Sequence, residues 1–418
     1  MAYLPRITDV ELERKLESSG AVLIRGPKAC GKTESATQFA RSILQMDQDP
    51  QVPVLMGVAP KRLLLGKTPR LIDEWQVQPE IWNYVRHEVD DRKLEAQFIL
   101  TGSATPEKKK KPEVEARMHS GAGRFTKLDM RTMSWQELGF STGKVSLDNL
   151  FNGAKIDVDD TPTDIEQIVE RIIIGGFPAL VGKKLRAAMD LNRAYVDLLA
   201  EVDISRIPEE IKRDPIKVRA LLRSLARNTA TLAEITTFEA DTRISRPTIY
   251  DYLGALERLM IVEDQPAWDA HLRSSASLRK TPKRHFTDVC LAVAALGATK
   301  ESLLADMKYT GFLFESLAVH ELRVYGQAAD AKVYHYHDSN HLEVDAIVQK
   351  YNGNWSAFEI KLGIGQIDEA AANLLKLASV VDTAKSSAPR SLNVITGTGI
   401  SYTRPDGINV ISLASLGV

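Results

Sequence analysis

Residues Gly26-Pro27-Lys28-Ala29-Cys30-Gly31-Lys32-Thr33 fit the pattern G-x-x-x-x-G-K-[ST], and no other stretch restricts the fold so tightly. Ala21-Val22-Leu23-Ile24 ahead of it reads as a strand, and Glu34 to Leu44 behind it as a helix. A glycine-rich turn between a strand and a helix aims successive backbone N–H groups at one point, at the positive end of a helix dipole. Such a loop closes around phosphate oxygens. Lys32 is then placed to reach the β- and γ-phosphates of a nucleotide, and Thr33 to offer its hydroxyl to Mg2+. Cys30 reads as a small packing residue beneath the loop.

A phosphate loop of this kind needs an acidic strand end beside it. Leu71-Ile72-Asp73-Glu74 supplies one. The apolar strand delivers Asp73 to the Mg2+ shell and Glu74 to an attacking water. Phe98-Ile99-Leu100-Thr101-Gly102-Ser103 is the next strand, and its polar end lies beside Asp73 if the two strands are neighbours. Thr101 or Ser103 then senses the γ-phosphate or positions water; the alternative is a strand cap. Gly123-Arg124 follows, and arginine stabilises phosphoryl charge, from its own chain or a neighbour. A surface salt bridge is the competing role for Arg124.

These segments, with Met133-Ser134-Trp135-Gln136-Glu137-Leu138, come in the order found in a family of prokaryotic predicted AAA+ ATPases with a C-terminal domain of unknown function. The chain resembles that family onward through Asp288, Gly311-Phe312-Leu313-Phe314-Glu315 and Glu343-Val344-Asp345, nearly its whole length. The resemblance implies an α/β architecture: an AAA+ parallel-sheet core, a helical middle with a winged-helix element, and a nuclease-like C-terminal fold. Cys30 stands where a valine is usual in the family, and Glu34 where a second threonine is usual; a carboxylate turned toward the phosphates there weakens nucleotide affinity.

Composition narrows the function classes. With 54 Lys+Arg against 55 Asp+Glu, the 418-residue chain is neither a strongly basic nucleic-acid coat nor an acidic disordered tail. Two cysteines exclude a disulfide scaffold and a multi-cysteine zinc site. No apolar run is long enough for a signal or a membrane span, so the expectation is a cytoplasmic protein with no membrane partner. The pattern divides into an α/β ATPase domain over 1–140, a helical middle over 141–285 and a mixed α/β domain over 286–418. Helical periodicity is expected over 185–204 and 216–262. Later strands are expected at 332–337, 342–348, 356–362, 392–396 and 408–412, with a helix over 366–381. The lysine run Lys108–Lys111 reads as a solvated loop or a phosphate contact.

In the middle region, Ile244-Ser245-Arg246-Pro247-Thr248-Ile249-Tyr250-Asp251-Tyr252-Leu253 looks like the turn and second helix of a helix-turn-helix. Its outward residues Arg246, Thr248, Tyr250 and Asp251 suit DNA contact or packing inside a larger protein, and the segment from Ile261 to Trp268 suits a wing. The basic cluster Arg279, Lys280, Lys283 and Arg284 offers backbone contacts to DNA or a solvated turn.

In the last region, Glu343 and Asp345 share one face of a strand, and Glu359 and Lys361 share one face of the next. A hairpin that aligns those faces gathers three acids and a lysine, with Glu315 adding a fourth acid. That set suits Mg2+ or Mn2+, with Lys361 orienting or activating a hydroxide. It resembles the PD-(D/E)XK nucleases, including Gln366 after the lysine. Cross-strand ion pairs on a solvated face, or a fold that has lost its chemistry and binds partners, account for the same residues. His335 and His337 read as structural. The function expected from all this is an ATP/ADP-binding AAA+ protein that hydrolyses ATP with Mg2+ to switch its other domains. The rival readings are an ATP-gated nuclease and a non-hydrolysing switch that binds DNA or a protein partner, with the oligomeric state open.

Overall fold

Residues 3–102, 121–158, 162–204, 213–269, 280–382 and 386–418 are described by the computed structural model. Five short strands open the chain: β1 Ala21–Arg25, β2 Ser42–Gln45, β3 Arg70–Asp73, β4 Phe98–Gly102 and β5 Phe125–Asp129. All run parallel, in the order β2-β3-β4-β1-β5, so β4 lies between the phosphate-loop strand and the acidic strand. Alternate residues bury on opposite faces. Leu23, Ile72 and Leu100 pack with Trp75 and with Trp82 and Val85 of the helix Ile81–Arg92. Val22, Ile24, Leu71 and Ile99 pack with Leu12 and Leu16 of α1 Thr8–Ser18 and with Ala36 of α2 Lys32–Phe39. A parallel sheet covered on both faces explains why its inner strands β1, β3 and β4 are apolar almost throughout, while the edge strands β2 and β5 carry polar residues.

The helix expected over Glu34 to Leu44 stops at Phe39, because the next residues are needed as β2. There Leu44 aligns with Ile72 of β3 and is buried. Four residues are too few for strand alternation to be read in sequence.

The middle of the chain is helical, with α3 Ile165–Ile174, α4 Leu185–Leu198, α5 Pro215–Arg227, α6 Ile235–Thr242 and α7 Arg246–Arg258. The single periodic stretch expected over 216–262 is thus three helices. Arg243, in the left-handed region at φ 58°, ends α6. After α7, strand β6 Val262–Gln265 pairs antiparallel with β7 Lys283–Phe286. Helices α8 Val289–Leu296, α9 Lys300–Ala305 and α10 Met307–Ala328 lead into a six-stranded sheet. Its principal strands are β8 Ala331–His337, β9 Glu343–Lys350, β10 Trp355–Lys361, β11 Leu392–Thr396 and, after a two-residue edge strand, Asn409–Ser412. Helix α11 Ile367–Val380 covers one face through Ile367, Leu374 and Leu377. The other face joins α10 and the middle helices in one continuous core.

Helix α10 is buried over most of its second half and fastens the C-terminal sheet to the first domain. Glu321 accepts from the backbone N–H of Trp135 at 2.9 Å, and Gln327 donates to the Asp129 carbonyl at 2.8 Å. Glu263 of β6 lies between Arg131, after β5, and Arg323 of α10, at 3.0 and 3.1 Å. Among the described residues, no helix is long and apolar enough to cross a membrane.

Candidate functional site

The loop from Gly26 to Thr33 leaves the C-terminal end of β1 with two residues at positive φ, Ala29 at 63° and Gly31 at 103°. Glycine is required at Gly26 for space: a Cβ there would sit 2.2 Å from the Met130 carbonyl oxygen. Lys32 is buried, and its ammonium donates to the carbonyls of Gly26 at 3.0 Å and Pro27 at 2.8 Å. Pro27 and Cys30 are buried, the Cys30 thiol 3.5 Å from the Met130 carbonyl oxygen, in the packing position expected for it. Lys28 is turned outward to Asp203. Glu34 is exposed in the first turn of α2.

Arg6, which the sequence reading missed, holds the loop from behind. Its guanidinium donates to the Cys30 and Arg131 carbonyls, each at 2.9 Å, and pairs with Glu137 at 3.0 Å. Glu137 also accepts from the backbone N–H groups of Ile7 and Ser134, both at 2.7 Å. The segment Met133–Leu138 therefore serves the phosphate loop by fixing a buried arginine. An isolated arginine near a chain start carries no periodicity or spacing that would reveal this.

Register brings the acidic strand end to the loop. Asp73 aligns with Thr101 across β3 and β4. Its Oδ1 accepts from Thr101 Oγ1 at 2.5 Å and from Thr33 Oγ1 at 2.9 Å. A hydroxyl and a carboxylate side by side form the hard-oxygen donor set that suits Mg2+, which keeps several waters besides. Glu74 takes a left-handed conformation at φ 52°, and its carboxylate accepts from the Gln76 amide. Burial, reinforced by the neighbouring Asp73 charge, raises the Glu74 pKa against the pull of Gln76 and Lys32. Ser103 and the run Lys108–Lys111 lie outside the described residues.

Arg124 is at the wrong end of the sheet for phosphate contact within its own chain. It precedes β5, and its carbonyl accepts from Ala21 N–H at the start of β1, a strand's length from the loop at the other end. Its side chain pairs with Asp90 at 2.8 Å, the salt-bridge role weighed for it. From the helical middle, Arg258 is brought to the loop side. With Gly254, Glu257 and Met260 from the α7 end, it lines a cavity of about 420 Å³ whose other wall includes Arg25, Gly26, Trp75, Gly102 and Lys127. Arg258 comes from a helix whose approach to the sheet depends on the whole middle region.

The C-terminal carboxylates also converge, in a cleft of about 710 Å³. Lys361 pairs with Glu359 at 2.6 Å and Asp345 at 3.2 Å, as the hairpin argument expects. Asn373 of α11 donates to Glu359 at 2.6 Å. Lys283, expected as part of a basic cluster open to DNA or solvent, instead points inward. Its ammonium lies 2.7 Å from Glu315, 2.8 Å from Glu343 and 3.5 Å from Asp345, with the side chain 2% exposed. Burial raises the pKa of both Glu315 and Glu359, in each case aided by the nearby Asp345 charge. Among the described residues, no group of three or more His, Cys, Asp or Glu side chains is arranged as a metal site, and the acids of the cleft are paired with Lys283 and Lys361.

Of the other cluster members, Arg284 and Lys280 are likewise engaged. Arg284 donates to the Ala233 carbonyl at 3.0 Å, and Lys280 donates to the His337 carbonyl. Arg279 lies outside the described residues. On α7, Arg246 pairs with Glu239 and Asp251 with the buried Arg213. His335 is buried, and burial pushes its pKa down to about 4.

Residues 18–139 match the family model of an AAA domain. Residues 165–302 and 310–416 match two domains of unknown function, DUF8612 and DUF4143 respectively. Uncharacterized proteins of Mycobacterium bovis and Mycobacterium tuberculosis are each 23% identical to the chain over 359 residues, covering 84% of it and 72% of the relative. The AAA and DUF4143 matches support an AAA-type ATPase family, and the AAA match supports binding of ATP with Mg2+.

Proposed function

We propose that this chain binds ATP with Mg2+ at the loop Gly26–Thr33 and hydrolyses it to switch its helical and C-terminal parts. The observation that carries the reading is the set Thr33–Asp73–Thr101, hydrogen-bonded together beside the loop, with Glu74 next in line. Loop N–H groups and Lys32 bind phosphate oxygens, and Thr33 and Asp73 hold Mg2+. When bound, Mg2+ neutralises charge on the β- and γ-phosphates. Thr101 fixes the Asp73 carboxylate. Glu74, with its raised pKa, orients water and accepts its proton. Arg258 and Lys127 on the cavity wall supply positive charge for the phosphates.

Switching is supported by chain continuity. Helix α7 lines the cavity beside the loop, and the β6–β7 hairpin that follows it carries Lys283 into the C-terminal cleft. The arrangement of α6, α7 and this hairpin also fits the winged-helix reading. The ion-paired outward charges of α7 favour a protein partner over DNA, and the ion-paired cleft gives no support to cleavage of nucleic acid. We read three modules, over 1–140, 141–285 and 286–418. The test is ATP binding and turnover by purified full chain and by Lys32→Ala and Glu74→Gln. Lys32→Ala should lose binding, and Glu74→Gln should bind but turn over at least about 100-fold more slowly. Unchanged turnover in Lys32→Ala removes the assignment.

A further inference from the structure

The C-terminal cleft joins carboxylates from three elements: Glu315 of α10, Glu343 and Asp345 of β9, and Glu359 of β10. Such a group in a cleft ordinarily calls for a divalent cation, whose oxygen ligands stand about 2.0–2.6 Å from it. Here the centre belongs to a side chain. Lys283 reaches in from β7, a strand outside the C-terminal sheet, and touches three of the four acids. Lys361 engages the second oxygen of Asp345 and one of Glu359. The remaining Asp345 and Glu359 contacts are the Ile360 N–H at 2.8 Å and the Asn373 amide. An ammonium offers three donors around one positive charge, so it satisfies carboxylates from several directions much as a small cation does.

We infer that Lys283 stands in for a divalent cation in this cleft, so that the wild-type chain leaves the site closed to metal and removal of the ammonium opens it. A salt bridge on a solvated face would not predict this, because an exposed lysine hinders no ion. Lys283 is buried, and no ion can approach Glu315 and Asp345 together without displacing it.

The test is Mn2+ binding to nucleotide-free full chain, followed by the electron paramagnetic resonance signal of free Mn2+. Wild type, Lys283→Ala, Lys283→Met, Asp345→Asn and the double variant Lys283→Ala/Asp345→Asn are compared. The Lys283 variants should bind one Mn2+ more than wild type, at least about tenfold more tightly, and the double variant should lose it. Uncompensated acids will lower the Tm of the Lys283 variants, and Mn2+ should restore it while leaving wild type unmoved. Three results overturn the inference. One is folded Lys283 variants that bind no more Mn2+ than wild type. Another is Lys283 variants that are unfolded and not rescued by Mn2+. The third is a Mn2+ on wild type that Asp345→Asn abolishes.

Discussion

Glu263→Gln tests the junction on which any communication between the parts depends. The Glu263 side chain is 15% exposed and receives Arg131 from the N-terminal AAA domain and Arg323 from α10. Burial alone would raise its pKa, but the two guanidiniums more than reverse that and bring it down from 4.5 to about 2. At ~1.4 kcal/mol per tenfold change in proton affinity, this corresponds to roughly 3 kcal/mol in favour of the folded state. Removing one member of a buried ion pair costs about 3–5 kcal/mol, because the partners stay buried without compensation. A neutral glutamine should therefore destabilise the protein by roughly 3 kcal/mol at pH 7. The sign with pH follows from the lowered pKa. The contribution is complete above the ordinary value of 4.5 and is lost as pH falls through about 2. Urea unfolding of wild type and variant between pH 2 and pH 7 should show a gap that is full at neutral pH and closes in acid. Equal urea midpoints at pH 7, or a gap that does not narrow in acid, would refute the reasoning.

Arg258→Ala should lower ATP turnover at least about tenfold, whereas Arg124→Ala should leave it within about twofold in dilute protein, because Arg258 lines the cavity beside the loop and Arg124 pairs with Asp90 away from it. Parallel steady-state assays decide between them. Gly26→Ala should abolish nucleotide binding in a fluorescence titration, since its methyl group meets the Met130 carbonyl oxygen at 2.2 Å and forces the loop to shift. Asp288 accepts from the buried N–H groups of Gly176 at 2.7 Å and Cys290 at 3.0 Å. Asp288→Ala should then cost roughly 2–3 kcal/mol in chemical denaturation, as two buried donors lose their acceptor.

Much of the N-terminal AAA domain was legible because its signals are local. The eight residues Gly26–Thr33 carry their own backbone requirements, and β1 and β3 lie where their apolar runs place them. The C-terminal strands β8 to β11 also follow their alternation to within a residue or two. Strand β2 was hidden because four residues beside a helix give no periodicity. The hairpin arithmetic correctly put Asp345, Glu359 and Lys361 together, since register alone fixes which side chains share a face.

The sequence by itself determined a phosphate-binding loop, an acidic strand end and a paired-strand carboxylate set, each specified by neighbours in the chain. Tertiary structure alone decided where the cations went. Arg124 fell at the far end of the sheet, Arg258 arrived beside the loop, Arg6 went behind it, and Lys283 turned into the acids. A charged side chain's partner is set by distances between segments far apart in sequence, and neither composition nor spacing records those distances.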